Sequence, residues 1–428
     1  MIMNAERKEF NSNNRQEYLY LKPETLLTAV EKDWLAKSSI AHVSPLWLEK
    51  PRDTRLYGGA EDVVLNTLST LAKFNVKGQE LFGNPKDKVL EERLPNFHVH
   101  YPPYPEFRTS DLYETLMTDP LRAKELERQY VFFSYREISR RLHYLTVVHD
   151  HTNYGKDQSY WFSEKIPVVR TEHGPIIPPD NSSIDAAHFE LFCEAKNLFF
   201  IAISESQKQQ MPDLPWIAVV HNGVDPADFE FAEEKQGNYL LYMGRISPAK
   251  APHRAIEVAK ALKIPLILAG HKELTPESEA YYEQKIRPHI DDVNIRHEQG
   301  VGREVRKQLY RDAKCLLVLG EWQEPFGLIS AEAAMSGTPV VGFNRGAIPE
   351  VVENSKTGFI VDTLDGAIDA TAEVLKGNRI DPHFCRKRAE LNFSKVVMTA
   401  KLVKVYREAR RRFEENDDTR ELIDFGNI

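Results

Sequence analysis

Short apolar runs that break off into polar loops recur along this chain, with stretches of helical period between them. Leu145-Thr-Val-Val-His149-Asp-His151, Pro167-Val-Val-Arg-Thr-Glu-His173-Gly174, Leu198-Phe-Phe-Ile-Ala-Ile-Ser204 and Trp216-Ile-Ala-Val-Val-His221 are four of them. A strand that is apolar without alternation is covered on both faces, as in a parallel sheet. Parallel neighbours need a crossover, and the helical stretches supply it. The chain therefore reads as α/β, with doubly wound parallel sheets and helices on both faces. Its 428 residues suggest about two to three domains. Residues 226–238 are polar and lack apolar period, so they read as the linker between a first domain over 39–225 and a second over 239–390.

Residues 1–38 form an N-terminal extension, read as a polar tail plus one surface helix over 23–36. A first strand at 39–45 leads to Tyr57-Gly58-Gly59-Ala60-Glu61-Asp62, which opens a helix reaching 74. Val64, Leu65, Leu68, Leu71 and Ala72 share one face of it. Proline and charge obscure the period over 83–130, where loops and one helix near 120–141 are expected. In the second domain the pattern predicts a strand into Gly244, a helix over 252–262, a strand over 264–269, a helix over 281–286, a strand at 293–295 and a helix over 303–313. Helices follow at 365–376 and 383–390, then a long basic helix over 394–413 and a charged, disordered end.

A net charge of −8 argues against a nucleic-acid partner. Cys193, Cys315 and Cys385 are far apart and lack metal-ligand spacing, so they read as reduced thiols. The N-terminus has no apolar core for a signal peptide, and no window approaches the roughly 18 apolar residues of a membrane span. A cytoplasmic protein is the expectation. No Gly-x-x-x-x-Gly-Lys-Ser/Thr loop and no Gly-x-Ser-x-Gly elbow is present, which disfavours an ATPase and an α/β-hydrolase.

The chemistry concentrates at Glu324-Pro-Phe-Gly-Leu-Ile-Ser-Ala-Glu332. Lys314-Cys-Leu-Leu-Val-Leu319 precedes it as a buried strand, Pro325-Phe326-Gly327-Leu328 reads as a turn, and a helix follows to Met335. Such a unit presents backbone N–H groups and a positive helix end to an anion. Gly337-Thr-Pro-Val-Val341, Arg345-Gly-Ala-Ile-Pro-Glu350 and Thr357-Gly-Phe-Ile-Val361 come next. Upstream, Gly244-Arg245-Ile-Ser-Pro-Ala-Lys250 sets two cations five apart at a strand end. Arginine offers a planar fork to an anion and lysine a point charge. His149, Asp150, His151 and His173 invite a metal reading, but no cysteine or carboxylate set completes a ligand group nearby. Hydrogen-bonded loop histidines are the simpler account of His149.

Over residues 39–412, and most specifically over 239–361, the chain resembles the retaining glycosyltransferases of family 4, with their Glu-x7-Glu motif. The resemblance implies the GT-B fold, two Rossmann-like domains facing a central cleft, with the helix over 394–413 crossing back onto the first domain. It implies transfer of a sugar from a UDP- or GDP-sugar to a hydroxylated glycan, lipid-linked or small-molecule acceptor, in glycan, glycolipid or exopolysaccharide synthesis. Arg245 and Lys250 then clamp the diphosphate beside Gly244. The backbone at Gly327 and Leu328, in the turn begun by Pro325 and Phe326, meets the distal phosphate. Glu332 takes the ribose, Glu324 the donor sugar, and Gly300-Val301 the base. Gly58 and Gly59 form the phosphate-side loop of the first domain. His151 meets the donor sugar and His173 faces the cleft, although Asp-His-Thr here departs from the His-Glu-Pro of some members. No cofactor and no metal are implied. Two rivals stay open at this point: a non-catalytic sugar-nucleotide-binding protein, and an epimerase or phosphorylase on the same frame. Incubation with a nucleotide sugar and no acceptor separates the latter.

Overall fold

The computed structural model describes residues 23–45, 59–104, 107, 119–152, 165–175, 190, 192–273, 275–377 and 379–426. Two sheets organise them. The first contains β1 (Ser39–Val43), β2 (Gly78–Phe82), β3 (Phe97–His100), β4 (Val147–Asp150), β5 (Val168–Thr171), β6 (Leu198–Ala202) and β7 (Trp216–Val219). Their order is β3-β2-β1-β4-β5-β6-β7, and the pairs are parallel, with Ile40 opposite both Gln79 and Val147. The second contains β8 (Leu240–Met243), β9 (Leu266–Ala269), β10 (Ile295–Glu298), β11 (Cys315–Val318), β12 (Val340–Phe343) and β13 (Gly358–Val361), ordered β10-β9-β8-β11-β12-β13 and again parallel. β1, β4, β8 and β11 are buried at every residue, because helices cover both faces. In each sheet the order reverses beside the first strand, between β1 and β4 and between β8 and β11. Ligands of open α/β sheets bind at the carboxyl edge of such a switch point.

The long helix Lys395–Glu415 belongs in sequence to the second domain and in space to the first. Val403, Val405, Tyr406 and Ala409 share one core with Val147, Val169, Ile201 and Ile217. The two passages of the chain between domains are laced together, since Val224 N–H donates to Phe393 and Lys395 N–H donates to Val224, each at 2.8 Å. The expected linker is pinned as well: Arg386 donates to the carbonyls of Phe229 at 2.8 Å and Pro226 at 3.1 Å.

Several expectations need correction. The helix over 23–36 is two pieces, Pro23–Leu26 and Ala29–Lys37, because Thr28 and Glu31 form a reciprocal capping box that starts a new helix. It is not a surface helix, since Leu27 and Leu35 lie in the core beneath Lys395–Glu415. The strand expected at 293–295 begins only at Ile295, because Asp291 Oδ1 accepts from the N–H groups of Val293, Asn294 and Ile295 and turns that stretch. The helix expected over 281–286 starts earlier, at Pro276, under a Thr275 cap, and continues as a π-turn over Tyr282–Ile286. The C-terminal end is ordered to residue 426: Arg412 donates to the carbonyls of Thr419 and Glu421, and Ile423 N–H donates to Ile217. Among the described residues, no helix is long and apolar enough to cross a membrane.

Candidate active site

The second domain builds its side of the cleft from the carboxyl ends of β8 and β11. β8 ends at Met243, and the chain turns at Gly244 into Arg245, whose carbonyl accepts from Tyr242 Oη at 2.6 Å. The Arg245 side chain is 44% exposed, and its Nη1 lies 2.7 Å from Glu273 Oε1, on the turn after β9. Lys250 goes elsewhere. Its Nζ donates to Glu324 Oε2 at 2.6 Å and stands over the Trp322 ring, 4.0 Å from the centroid. Trp322 Nε1–H donates to the same oxygen at 2.9 Å. Burial pulls the Lys250 ammonium below its ordinary pKa, opposed by the Glu324 carboxylate. The two cations that the sequence placed together are thus each held by a carboxylate. The Lys250–Glu324 contact bridges 74 residues of sequence.

The backbone explains how Glu324 is held. Ala347 N–H donates to its carbonyl at 2.8 Å, and Gly346 N–H donates to Gln323 Oε1 at 2.8 Å. A Cβ on Gly346 would stand 2.2 Å from Glu324 N, so glycine is required where the Arg345-Gly-Ala segment passes the loop. Pro325 and Phe326 are buried, and the Phe326 ring packs against His221 and Phe393. Gly327, at φ +86°, then turns the chain into the helix Leu328–Met335. Its first N–H groups complete an anion-binding end beside Lys250 and Glu324.

Glu332 is only 3% exposed. Tyr310 Oη–H donates to its Oε2 at 2.8 Å, and Arg306 Nη1 lies 3.7 Å from its Oε1. Arg306 Nη2 also lies 3.8 Å from Asp62 of the first domain. The carboxylate expected to take the ribose is therefore backed by the helix Arg303–Asp312, whose Arg306 also reaches the first domain. Sequence reasoning missed Tyr310, Arg306 and Asp62; the i,i+4 spacing of Arg306 and Tyr310 was the available signal. Gly300 and Val301 follow β10, with Val301 packed on the second domain's core.

On the first domain, Gly59 begins the helix Gly59–Lys73, whereas Gly58 lies outside the described residues. His149 Nδ1 is 2.6 Å from the Tyr406 hydroxyl and Nε2 is 2.8 Å from the Thr171 hydroxyl. His151, expected to meet a sugar, is 2% exposed, and its Nδ1 lies 3.1 Å from His173 Nε2. His173 is the more open of the two. Burial keeps the rings neutral: it lowers the His173 pKa to about 4 and holds His149 and His151 well below the ordinary value. Between them, Asp150 points the other way, accepting from Tyr135 Oη at 2.6 Å and from both N–H and hydroxyl of Thr152. Glu350 of the second domain reaches the first. It accepts from the N–H groups of Glu205 and Ser206, at 2.9 and 2.8 Å, and its Oε2 is 3.0 Å from His221 Nε2.

The family described as Glycosyl transferases group 1 matches residues 224–391. The D-inositol 3-phosphate glycosyltransferase of Streptomyces avermitilis is 32% identical over 188 residues, 39% of this chain and 40% of that protein. The chain thus spans about two fifths of the length of that relative. Among solved structures, AviGT4, a glycosyltransferase involved in avilamycin A biosynthesis, aligns at TM-score 0.58 and 22% identity, over 87% of this chain and 98% of that one. Anabaena HepE in complex with UDP and glucose aligns at TM-score 0.63 and 16% identity, over 87% of this chain and 100% of that one. The sheets described above have the GT-B fold of these glycosyltransferases, and residues 224–391 are the part of the chain that resembles glycosyl transferases group 1.

Proposed function

We propose that this chain transfers a sugar from a UDP- or GDP-sugar to a hydroxyl acceptor, with retention at the anomeric carbon. The observation that carries the reading is the unit of Lys250, Glu324 and Trp322 beside the N-terminus of Leu328–Met335, with Arg245 on the neighbouring loop. It joins a cation suited to a diphosphate to a carboxylate suited to sugar hydroxyls, at a helix end that favours negative charge. A bound donor supplies the anion that Lys250 and Arg245 otherwise find in Glu324 and Glu273. As the glycosidic bond breaks, charge grows on the diphosphate, where both cations and the N–H groups of Gly327 and Leu328 stabilise it most. Glu324, released from Lys250, accepts from the sugar. Glu332, steadied by Tyr310, accepts from the ribose through Oε1. His173 faces the sugar from the first domain, with His151 fixing its ring. The leaving phosphate takes the acceptor's proton on the same face. The diphosphate charge is met by side chains and a helix end, so no metal is invoked at that position. The neighbour HepE, crystallised with UDP and glucose, supports a donor of this class. The experiment is a thermal-shift screen of nucleotide sugars, followed by measurement of nucleoside diphosphate release with and without acceptor sugars. Stabilisation by a UDP- or GDP-sugar and acceptor-dependent release are expected. Absence of any nucleotide-dependent shift would overturn the reading.

A further inference from the structure

The carboxyl edge of the first sheet carries a histidine that the sequence motifs did not include. His42 on β1 lies opposite His149 on β4 in parallel register, so the two side chains share a sheet face. His151 follows two residues later and returns to that face. One ring nitrogen from each of His42, His149 and His151 lies within 4.8 Å of the others, and all three residues are buried. Both nitrogens of His42 and Nε2 of His151 have no hydrogen-bond partner among the described residues. An unsatisfied buried polar atom costs about 1–3 kcal/mol, so an orphan nitrogen on His42 and one on His151, in rings this close together, ask for a shared partner.

We propose that His42, His149 and His151 hold a divalent transition-metal ion of the zinc class. Neutral imidazole is the ligating form, and burial keeps these rings neutral. For two of the three rings the surroundings match what an imidazole ligand needs from its second nitrogen, while that of His42 has no partner among the described residues. His151 Nδ1 is engaged by His173, and whichever nitrogen of His149 turns to the ion, the other keeps a hydroxyl, Tyr406 or Thr171. Zinc–nitrogen bonds of about 2.0–2.1 Å set tetrahedral ligands about 3.4 Å apart, so the nitrogens draw in by about 1 Å on binding. The ion would tie β1 to β4. It would also stiffen the loop that presents His173. It sits on the first domain, apart from the diphosphate clamp on the second. The metal-free expectation drawn from the sequence was formed without His42.

Full-length protein stripped of metal by dialysis against chelator is titrated with ZnCl2 by calorimetry, and in parallel with CoCl2 while visible absorbance is recorded. No nucleotide or sugar is present, so the outcome is independent of the proposed activity. A single equivalent per chain and the visible bands of four-coordinate cobalt are expected. His42→Ala and His151→Ala should each weaken zinc binding at least tenfold, and one of Tyr406→Phe and Thr171→Val, whichever removes the partner of the non-ligating His149 nitrogen, by about ten- to hundredfold. The wild-type titration decides even if a variant misfolds: no stoichiometric uptake overturns the proposal. Uptake unchanged in folded His42→Ala and His151→Ala also overturns it, by placing the ion on other histidines.

Discussion

Glu324→Gln is the perturbation that separates the work of the two glutamates. Glu324 Oε2 accepts from Lys250 at 2.6 Å and from Trp322 at 2.9 Å, with the Lys250 and Glu324 side chains 19% and 13% exposed. The amide keeps the shape and an oxygen for the indole, but removes the charge that Lys250 faces. A hydrogen bond to a charged group contributes about 1.5–3 kcal/mol, and partial exposure favours the lower end, so unfolding stability should fall by about 1–2 kcal/mol. The ammonium freed by the substitution is the group assigned to the diphosphate. Affinity for the nucleoside diphosphate should therefore hold or rise. Turnover should fall about ten- to hundredfold, because the sugar loses a charge-assisted acceptor in the transition state. Glu332→Gln should do the reverse in binding: with Tyr310 still present but the carboxylate gone, nucleoside diphosphate and donor should weaken together. Calorimetry with UDP and GDP, beside initial rates with the preferred donor, reads both quantities. Equal loss of product affinity in the two variants would refute the division of labour. No effect in either would place the nucleotide-sugar site elsewhere and take the proposed function with it.

Arg245→Ala should leave the melting temperature near wild type, because its Glu273 partner is solvent-accessible, yet cost about ten- to hundredfold in turnover; wild-type rates would remove Arg245 from the site. Tyr310→Phe deletes one hydrogen bond to Glu332, worth about 1 kcal/mol, so nucleoside diphosphate affinity measured by calorimetry should drop about fivefold. Adding Mg²⁺ or Mn²⁺ to the assay should raise turnover by less than about twofold if, as proposed, side chains and a helix end meet the diphosphate. Burial alone would raise the Glu350 pKa, but hydrogen bonds from His221 and the N–H groups of Ser206 and Glu205 bring it below the usual carboxylate value. A depressed folded pKa gives stability that is full above the unfolded value, about 4.3, and is lost as pH falls through the folded one. Denaturation curves between neutral pH and acid should therefore show a shallower acid decline for Glu350→Gln than for wild type.

Most of the architecture was legible in the sequence because both-face burial leaves a mark that needs no tertiary information. β8 and β11 are apolar runs without alternation, and β1 and β4 carry apolar pairs that give way to polar residues toward the loop. Where local polar groups compete with that pattern, boundaries slipped. The Asp291 side chain took three N–H groups from the start of β10, and the Thr28–Glu31 box restarted a helix that period alone ran through. Order at the C-terminal end was illegible for another reason: the charged residues after 415 are held by Arg412 and by the edge of β7, partners that no local window contains.

The sequence by itself determined the alternation of strand and helix, the strand–turn–helix unit around Gly327, and which residue types stand at its ends. These are local, set by backbone conformation and by the spacing of apolar positions. Only the tertiary structure decided what those residues face. Lys250 meets Glu324 rather than Arg245, Glu332 is backed by Tyr310 and reached by Arg306, and His42 joins His149 and His151. Each of these pairings crosses from one strand or helix to another, and depends on sheet order and register. Parallel register brings residues more than a hundred positions apart, such as His42 and His149, into contact without any trace in the intervening chain.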